Sequence, residues 1–211
     1  MSIRVRITFS KTGPMQYVGH LDLHRSWERT FRRSGLPLEY SHGFHPQPHL
    51  NLACALPLGF TSQCELLDAW LEGDLPDNEI YSALSLALPP GLDIPHLQAV
   101  DLHAPALQTQ VISARYMIKL LDPVPDLPDR LQRVLSADNL PRLRRGKPYD
   151  LRPLIEEATL VEQDRDGRFL IQVQMTARES ATGRPEELLA ELGIKFEDTH
   201  IHREKLILNS N

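Results

Sequence analysis

Residues 1–37 read MSIRVRITFSKTGPMQYVGHLDLHRSWERTFRRSGLP, and this stretch decides the fold class. The first ten residues alternate apolar and polar side chains, which is typical of a half-buried strand. Over about His20–Ser34, apolar side chains recur at four-residue spacing and predict an amphipathic helix. The recurring side chains are Leu23, Trp27 and Phe31. Gly35 and Pro37 then end the helix, so the chain begins as a mixed α and β protein.

The same kind of alternation continues after this helix. We expect strands near 49–56 and 64–72, then a helix that Asp77 caps and that continues to about residue 88. A further strand is expected over 92–101. The first half of the chain therefore has the predicted element order βαββαβ.

That order recurs in the second half. The predicted elements are a strand at 112–120, a helix at 128–135, two strands at 154–162 and 168–178 joined by a turn at 164–167, a helix at 185–192 and a strand at 199–208. The sequence thus predicts an α+β protein of two tandem ferredoxin-like units with antiparallel sheets. We place the two domains at 1–103 and 111–211, with a linker near 103–110.

Several classes of protein are excluded by the sequence. No run of about 18 apolar residues occurs, so we expect no transmembrane helix and no membrane partner. The first residues lack the apolar core of a signal peptide, which favours a cytoplasmic protein with reduced thiols. The two cysteines, Cys54 and Cys64, are too few for an iron–sulfur cluster, which takes about four thiolates. We expect no cofactor in this chain.

Charge is distributed unevenly along the chain, whose formal net charge is -5. Residues 1–50 carry seven Lys and Arg against three Asp and Glu, whereas residues 51–110 carry eight Asp and Glu and no Lys or Arg. A protein with one basic face can bind nucleic acid despite an acidic average. The acidic segment 51–110 could instead dock a basic partner.

Two groups of basic residues are candidates for contact with RNA phosphates, because guanidinium groups match phosphate oxygens in a fork geometry. The groups are Arg25, Arg29, Arg32 and Arg33 on the first helix, and Arg142, Arg144, Arg145, Lys147 and Arg152 further along. Arg4 and Arg6 could add to them from the first strand. The alternative is a solvated surface. Candidates for stacking on bases are Tyr17, Tyr40, Phe44 and Tyr149.

Five histidines lie in the first 50 residues. His20 and His24 share one face of the predicted helix, and His42, His45 and His49 lie three and four residues apart in a loop. Such spacing can bind zinc, although local hydrogen bonding is the more ordinary role and no HExxH or paired CxxC motif supports a metal site. In an enzyme, His20 or His45 would be the general acid or base.

Two loops are candidates for a binding surface. The strand-to-helix passage begins with Lys11-Thr12-Gly13-Pro14 and could present an anion-binding helix N-terminus, with Asp22 more simply acting as a helix cap. The loop SHGFHPQP spans 41–48 and is stiffened by two prolines. It is either a binding lip or a structural corner with Phe44 in the core. The candidate loop residues are Lys11, His20, Ser41, Gly43, Phe44 and His45.

A set of short strings resembles a bacterial family. The strings are RITFSKTGP (6–14), GHLDL (19–23), RRSGLP (32–37), YSHGF (40–44), ALPLG (55–59), KPYDLRPL (147–154), RPEELL (184–189) and IHR (201–203). In this order they are similar to the radical-SAM-linked, or DUF2344, family. One departure is His45, which stands where the family loop has asparagine.

The resemblance implies a genomic context. Members of the family are fused to, or encoded beside, a radical SAM protein with a cobalamin-binding-type domain, and an E/G-type ribonuclease is often nearby. This chain lacks the CxxxCxxC cluster motif, so radical chemistry would reside in another chain. We therefore expect a non-catalytic accessory partner that presents RNA, either tRNA or rRNA, for modification.

Two alternatives stay open. Tandem ferredoxin-like units are also similar to CRISPR RNA-processing endoribonucleases, although their glycine-rich C-terminal loop is missing here. The other alternative is a module that binds only protein.

Overall fold

A computed structural model describes residues 2–163, 165 and 168–209 of the chain. The chain divides into two compact units, Met1–Gln110 and Val111–Asn211. Both units combine helices with antiparallel strand pairs, which confirms the predicted α+β class. None of the helices in the described part of the chain has the length and apolarity to cross a bilayer.

The first unit follows the predicted element order. Its elements are β1 (Ser2–Lys11), α1 (His20–Ser34), β2 (Leu50–Leu52), β3 (Thr61–Glu72), α2 (Asp77–Ala87), β4 (Leu92–Val100) and the short α3 (Leu107–Gln110). The strands lie in the order β4-β1-β3-β2, and all neighbours are antiparallel. This arrangement is compatible with a ferredoxin-like fold. The second strand is shorter than predicted.

The core of the first unit forms where α1 covers the sheet. The predicted stripe of α1 is buried, and Trp27 packs edge-on against Phe9 of β1 with ring centroids 4.9 Å apart. Val5, Ile7 and Phe9 lie two residues apart along β1, so all three side chains point to the same buried face. The apolar side chains that repeat every second residue in the strand and nearly every fourth residue in the helix therefore pack against each other at one interface.

Both predicted helix caps in this unit are wrong. Gly19 is the N-cap of α1 and forms no side-chain cap, while Asp22 pairs with the exposed Arg25 at 3.2 Å. Pro76 is the N-cap of α2, and Asp77 is its first helical residue. The acidic side chains still lie in the first turn of each helix, where the helix dipole favours negative charge.

The second unit carries elements that the sequence did not predict. Its elements are β5 (Val111–Leu120), α4 (Leu127–Ser136), β6 (Pro141–Arg144), β7 (Lys147–Asp150), β8 (Ile155–Gln163), β9 (Phe169–Arg178), β10 (Ala181–Thr182), α5 (Pro185–Glu191) and β11 (Thr199–Leu208). The main strands lie in the order β11-β5-β9-β8, all antiparallel, and β10 also pairs with β9. The predicted turn at 164–167 lies, apart from Arg165, outside the described residues.

The unpredicted hairpin of β6 and β7 forms a separate two-stranded sheet. Proline at 141 and 148 reduces the strand signal of this stretch, because proline lacks the backbone donor of a sheet ladder. In a two-stranded ribbon the outer edge of each strand forms no ladder hydrogen bonds. A proline there costs no backbone hydrogen bond and is tolerated. The hairpin carries most of the second basic group.

Candidate nucleic-acid interface

A cavity of about 550 Å³ lies in the second unit, between the β6–β7 hairpin, the turn from β9 to β10 and the start of α5. The hairpin contributes Arg144, Arg145, Lys147, Pro148, Tyr149 and Asp150, and the other wall consists of Leu154, Glu179, Ser180, Ala181, Thr182 and Arg184. We call this site the hairpin cavity. It brings four cationic side chains and one aromatic ring to one place.

The tip of the hairpin is a two-residue turn. Arg144 pairs with Lys147 across the ribbon, and the intervening Arg145 and Gly146 have φ of 51° and 76°. Positive φ at both central positions is the requirement of a type I′ turn, whose twist matches that of the strands. Arg145 and Lys147 are exposed, and their side chains form no hydrogen bond or ion pair within residues 2–163, 165 and 168–209.

Two arginines of β6 hold the hairpin against α5. Arg142 lies 2.8 Å from Glu191 and donates to the backbone oxygen of Glu187 at 3.1 Å. Arg144 donates from Nη2 to both carboxylate oxygens of Glu187 at 2.8 Å. Residues two apart on a strand and four apart on a helix share a face, so the two pairs match.

Arg144 also organises the cavity wall. Its guanidinium lies 4.6 Å from the centroid of the Tyr149 ring, donates to the Tyr149 hydroxyl at 3.2 Å and donates to the Thr182 carbonyl at 2.8 Å. Burial alone would lower the pKa of Arg144, but pairing with Glu187 raises it, so the cation persists. Burial and the nearby Glu187 carboxylate raise the pKa of Tyr149, although Arg144 opposes the shift. Tyr149 is therefore a neutral phenol.

The predicted second basic group is divided by these contacts. Arg152 donates to the carbonyls of Leu135 and Ile155 and so fastens the backbone. With Arg142 and Arg144 engaged at α5, only two members of the group, Arg145 and Lys147, keep their charge available to a ligand. The sequence missed Arg184, whose exposed guanidinium lines the same cavity without a hydrogen bond to any described residue. In the sequence, Arg184 could have been found as the first residue of the string at 184–189 that resembles the family.

The predicted basic ridge on α1 is exposed in the first unit. Arg25 pairs with Asp22, and Arg33 donates to the carbonyl of Ala87 at 2.5 Å. Arg29 and Arg32 have no side-chain partner in the described part of the chain.

The suggestion that Arg4 and Arg6 contact phosphate is wrong. Arg4 is 2% exposed and donates to the buried Asp68 through Nε and Nη2 at 3.0 and 2.5 Å. Arg6 donates to both oxygens of Asp68 at 2.8 and 2.9 Å. Arg4 also reaches the carbonyls of Ala104 and Pro105. One carboxylate thus neutralises part of a buried pair of cations, and neither is presented to a ligand.

The loop at 41–48 lies on the surface of the first unit, and hydrogen bonds join its two ends. Ser41 and Gln47 are joined by two hydrogen bonds of 2.8 and 2.9 Å at its base. Phe44 is fully exposed, so its predicted role as a core plug is wrong. Gly43 has φ of 137°, a conformation open to glycine. Lys11, the other charged member of the candidate loops, is buried in β1.

The loop histidines do not assemble. His42 and His45 are exposed, while His49 stacks on Trp70 with ring centroids 3.8 Å apart and lies 3.3 Å from Glu39. Within the described residues, no three histidine, cysteine or acidic side chains form a group that could hold a metal ion. Metal binding by these histidines therefore has no geometric support.

His20 has a different environment at the start of α1. Its Nδ1 is buried and has no hydrogen-bond partner among the described residues. Burial and the neighbouring His24 lower the pKa of His20, while the Glu65 carboxylate partly opposes them. His24 itself contacts Glu28 at 2.9 Å and the Leu50 carbonyl at 3.3 Å. His20 is thus a neutral imidazole near neutral pH.

Comparison with known families and curated proteins gives one sequence match. A family model described as an uncharacterized protein conserved in bacteria (DUF2344) matches residues 4–185. No curated protein matches the sequence.

Comparison with solved structures adds a likeness of fold. A chain of a Cbf5-Nop10-Gar1 complex has a TM-score of 0.50 at 12% identity, covering 96% of this chain and 48% of that chain. An H/ACA RNP bound to a substrate RNA containing 2′-deoxyuridine has a TM-score of 0.47 at 12% identity, with coverage of 96% and 47%. The acetolactate synthase small subunit of Thermotoga maritima has a TM-score of 0.29 at 12% identity, with coverage of 100% and 99%. The chain spans about half the length of the first two.

Proposed function

We propose, from the premise that the chain belongs to the DUF2344 family of bacterial proteins, that it binds RNA through the hairpin cavity of its second unit. The observation that carries this proposal is a set of three exposed cations around one cavity whose side chains form no hydrogen bond within residues 2–163, 165 and 168–209. They are Arg145, Lys147 and Arg184. An RNA phosphate is the common ligand that such a set recognises.

The charge balance of the hairpin cavity supports this proposal. Arg144 is neutralised by Glu187, and the Asp150 carboxylate accepts from the backbone N–H groups of Leu140 and Arg152. Asp150 and Glu179 are the two acidic lining residues, and they oppose four cationic ones, of which Arg144 is already paired with Glu187. The cavity keeps an excess of positive charge in a chain whose average is acidic.

The finer proposal concerns the partner. We infer that the chain serves as a non-catalytic accessory subunit of a radical SAM enzyme in tRNA or rRNA modification, with an E/G-type ribonuclease in the same context. The support is the resemblance of its local strings to the radical-SAM-linked family and the absence of a CxxxCxxC motif from the sequence. Two tandem ferredoxin-like units would give such a subunit a stable platform.

A salt titration tests RNA binding. We expect the wild-type chain to bind tRNA or rRNA fragments with an affinity that falls steeply between about 50 and 200 mM salt. The triple variant Arg145→Asn, Lys147→Gln, Arg184→Gln should flatten the slope of log K against log salt by about 2, at roughly 0.7 per lost single-strand contact. Arg29→Gln with Arg32→Gln is the comparison variant, because it removes two exposed cations from the other candidate basic group, on α1. Equal slopes for wild type and triple variant would refute the site.

A tagged pull-down from the native host tests the partner. Recovery of a radical SAM protein together with a defined RNA is the expected result. Recovery of RNA without such a protein would retain RNA binding and reject the accessory role.

A second candidate function is RNA cleavage with His20 as the general acid or base. The observation in its favour is that Nδ1 of the neutral His20 ring has no hydrogen-bond partner in the part of the chain that the structure describes, while Glu65 acts on the ring electrostatically. His45, the alternative to His20 for this role, lies in the exposed loop. Labelled tRNA incubated with wild type and with His20→Gln decides the matter: cleavage that His20→Gln abolishes supports it, and intact tRNA rejects it for this RNA.

A further inference from the structure

We propose that the hairpin cavity takes one unpaired nucleotide of an RNA chain, with the phosphate at its rim and the base inside, and that duplex RNA does not fit it. This inference rests on the proposed RNA binding and names the form of RNA that the site accepts. It follows from the volume of the cavity, from its walls and from the Glu179 carboxylate in its lining.

The size of the cavity separates the two forms of RNA. Its volume of about 550 Å³ falls inside the range of about 300–1,000 Å³ that is usual for small-molecule sites. Duplex RNA is bound over its wide, shallow groove and its phosphates, across a span of many base pairs. A duplex would touch the rim and leave the cavity unfilled, whereas a splayed base can enter it.

The walls of the cavity suit a base. The Arg144 guanidinium lies over one face of the Tyr149 ring, 4.6 Å from its centroid, so an unstacked base would lie against the opposite face. Pro148 and Leu154 add apolar surface, and the Ser180 hydroxyl adds a polar group for a base edge, whereas the Thr182 hydroxyl donates to the Arg178 carbonyl at 2.9 Å. Arg144 is locked by Glu187, so this platform is set before a ligand arrives.

The carboxylate of Glu179 argues against phosphate as the whole ligand. A site for inorganic phosphate alone would be weakened by a negative group in its lining. A nucleotide carries both an anion, for Arg145 and Arg184, and N–H donors on its base, which a carboxylate accepts. The mixed charge of the cavity therefore fits a nucleotide better than a bare phosphate.

Fluorescence anisotropy with one labelled strand tests the inference. The probe is an RNA of mixed sequence without self-complementarity, used alone and annealed to its complement at one salt concentration. We expect the single strand to bind about tenfold more tightly than the duplex, and Tyr149→Leu to remove most of that difference, since one base–aromatic stack is worth about 1–3 kcal/mol. Tyr149→Phe is the matched control, because it retains the ring. Inorganic phosphate should compete more weakly than a nucleoside monophosphate.

The Tyr149→Leu variant could lose the hairpin itself, so a second measurement uses the wild-type protein. Photo-crosslinking of the same single strand carrying 4-thiouridine, followed by peptide mapping, should place the crosslink within residues 142–152 or 179–184. Crosslinks elsewhere, or equal affinity for both forms of RNA with both weakened by Arg145→Asn and Arg184→Gln, would overturn the inference and leave RNA binding standing. If neither form binds, the proposed function fails with it.

Discussion

Arg144 and Glu187 meet through Nη2 at 2.8 Å from each carboxylate oxygen, and this contact joins the β6–β7 hairpin to α5. The arginine is not itself a free phosphate ligand, although the sequence grouped it with those candidates. Its role is to hold the wall on which Tyr149 lies. The effect of Arg144 on any ligand therefore passes through the position of the hairpin.

Substitution of Glu187 by Gln tests this coupling. We expect a loss of about 1–3 kcal/mol in the free energy of unfolding, because Arg144 stays partly buried without its charged partner. Amide hydrogen exchange across 142–150 should accelerate more than exchange in β5. Lys147→Gln serves as the control, since its exposed side chain forms no hydrogen bond or ion pair with any described residue. Unchanged protection of the hairpin in Glu187→Gln would contradict the anchoring role.

Asp68→Asn should be among the most destabilising substitutions of the first unit. It leaves Arg4 and Arg6 close together in a buried site with no carboxylate, and breaking a buried pair costs about 3–5 kcal/mol. Urea unfolding followed by circular dichroism measures the loss. The exposed Asp101→Asn change is the comparison and should cost far less. Similar midpoints for the two variants would show that Asp68 is not an essential counterion.

His20 predicts a pH dependence of stability. Its folded pKa lies below the ordinary value of 6.5 because of burial and His24, with Glu65 in partial opposition. The unfolded chain therefore takes up a proton first as the pH falls, so this residue destabilises the fold progressively below about pH 6.5 and contributes no such loss above it. NMR titration of the His20 ring should show a midpoint below 6.5. A midpoint above it, or the same acid dependence in His20→Gln, would contradict the burial.

The hairpin turn allows charge and stability to be separated. Arg145→Asn should stabilise the chain by up to about 1 kcal/mol, because Asn-Gly is the favoured type I′ pair, while removing a cation from the cavity. Gly146→Ala should destabilise it, and no heavy atom lies within 4 Å of the added Cβ, so the cause would be backbone strain alone. Thermal unfolding compares the two. Destabilisation by Arg145→Asn would mean that the turn is not of this type.

The sequence predicted α1 to its last residue, since Leu23, Trp27 and Phe31 repeat at helical spacing and Gly35 ends the helix with φ of 71°. The β6–β7 hairpin was missed because its strands are short and each contains proline. Its anchoring depends on a match between Arg-x-Arg on a strand and Glu-x-x-x-Glu on a helix. Neither pattern is informative until folding places 142–144 beside 187–191.

The uneven charge distribution in the sequence is only partly expressed as charged surface. Part of the basic excess before residue 50 and part of the acidic excess after it cancel inside the first unit, where Arg4 and Arg6 meet Asp68. Linear counting cannot detect such a pairing, because the partners lie more than sixty residues apart. The hairpin cavity, in contrast, draws on Arg184, which no charge run marks.

The contacts of Arg4 also determine where a fragment that contains the first unit should end. Its guanidinium donates to the carbonyls of Ala104 and Pro105, and Arg6 donates to Gln110. A fragment that stops at residue 103, where the sequence pattern ends the first domain, would leave both arginines with Asp68 but remove their acceptors at Ala104, Pro105 and Gln110. Fragments for separate study should therefore end after Gln110. The segment near 103–110, predicted to be a linker, then stays with the first unit, whose arginines it contacts.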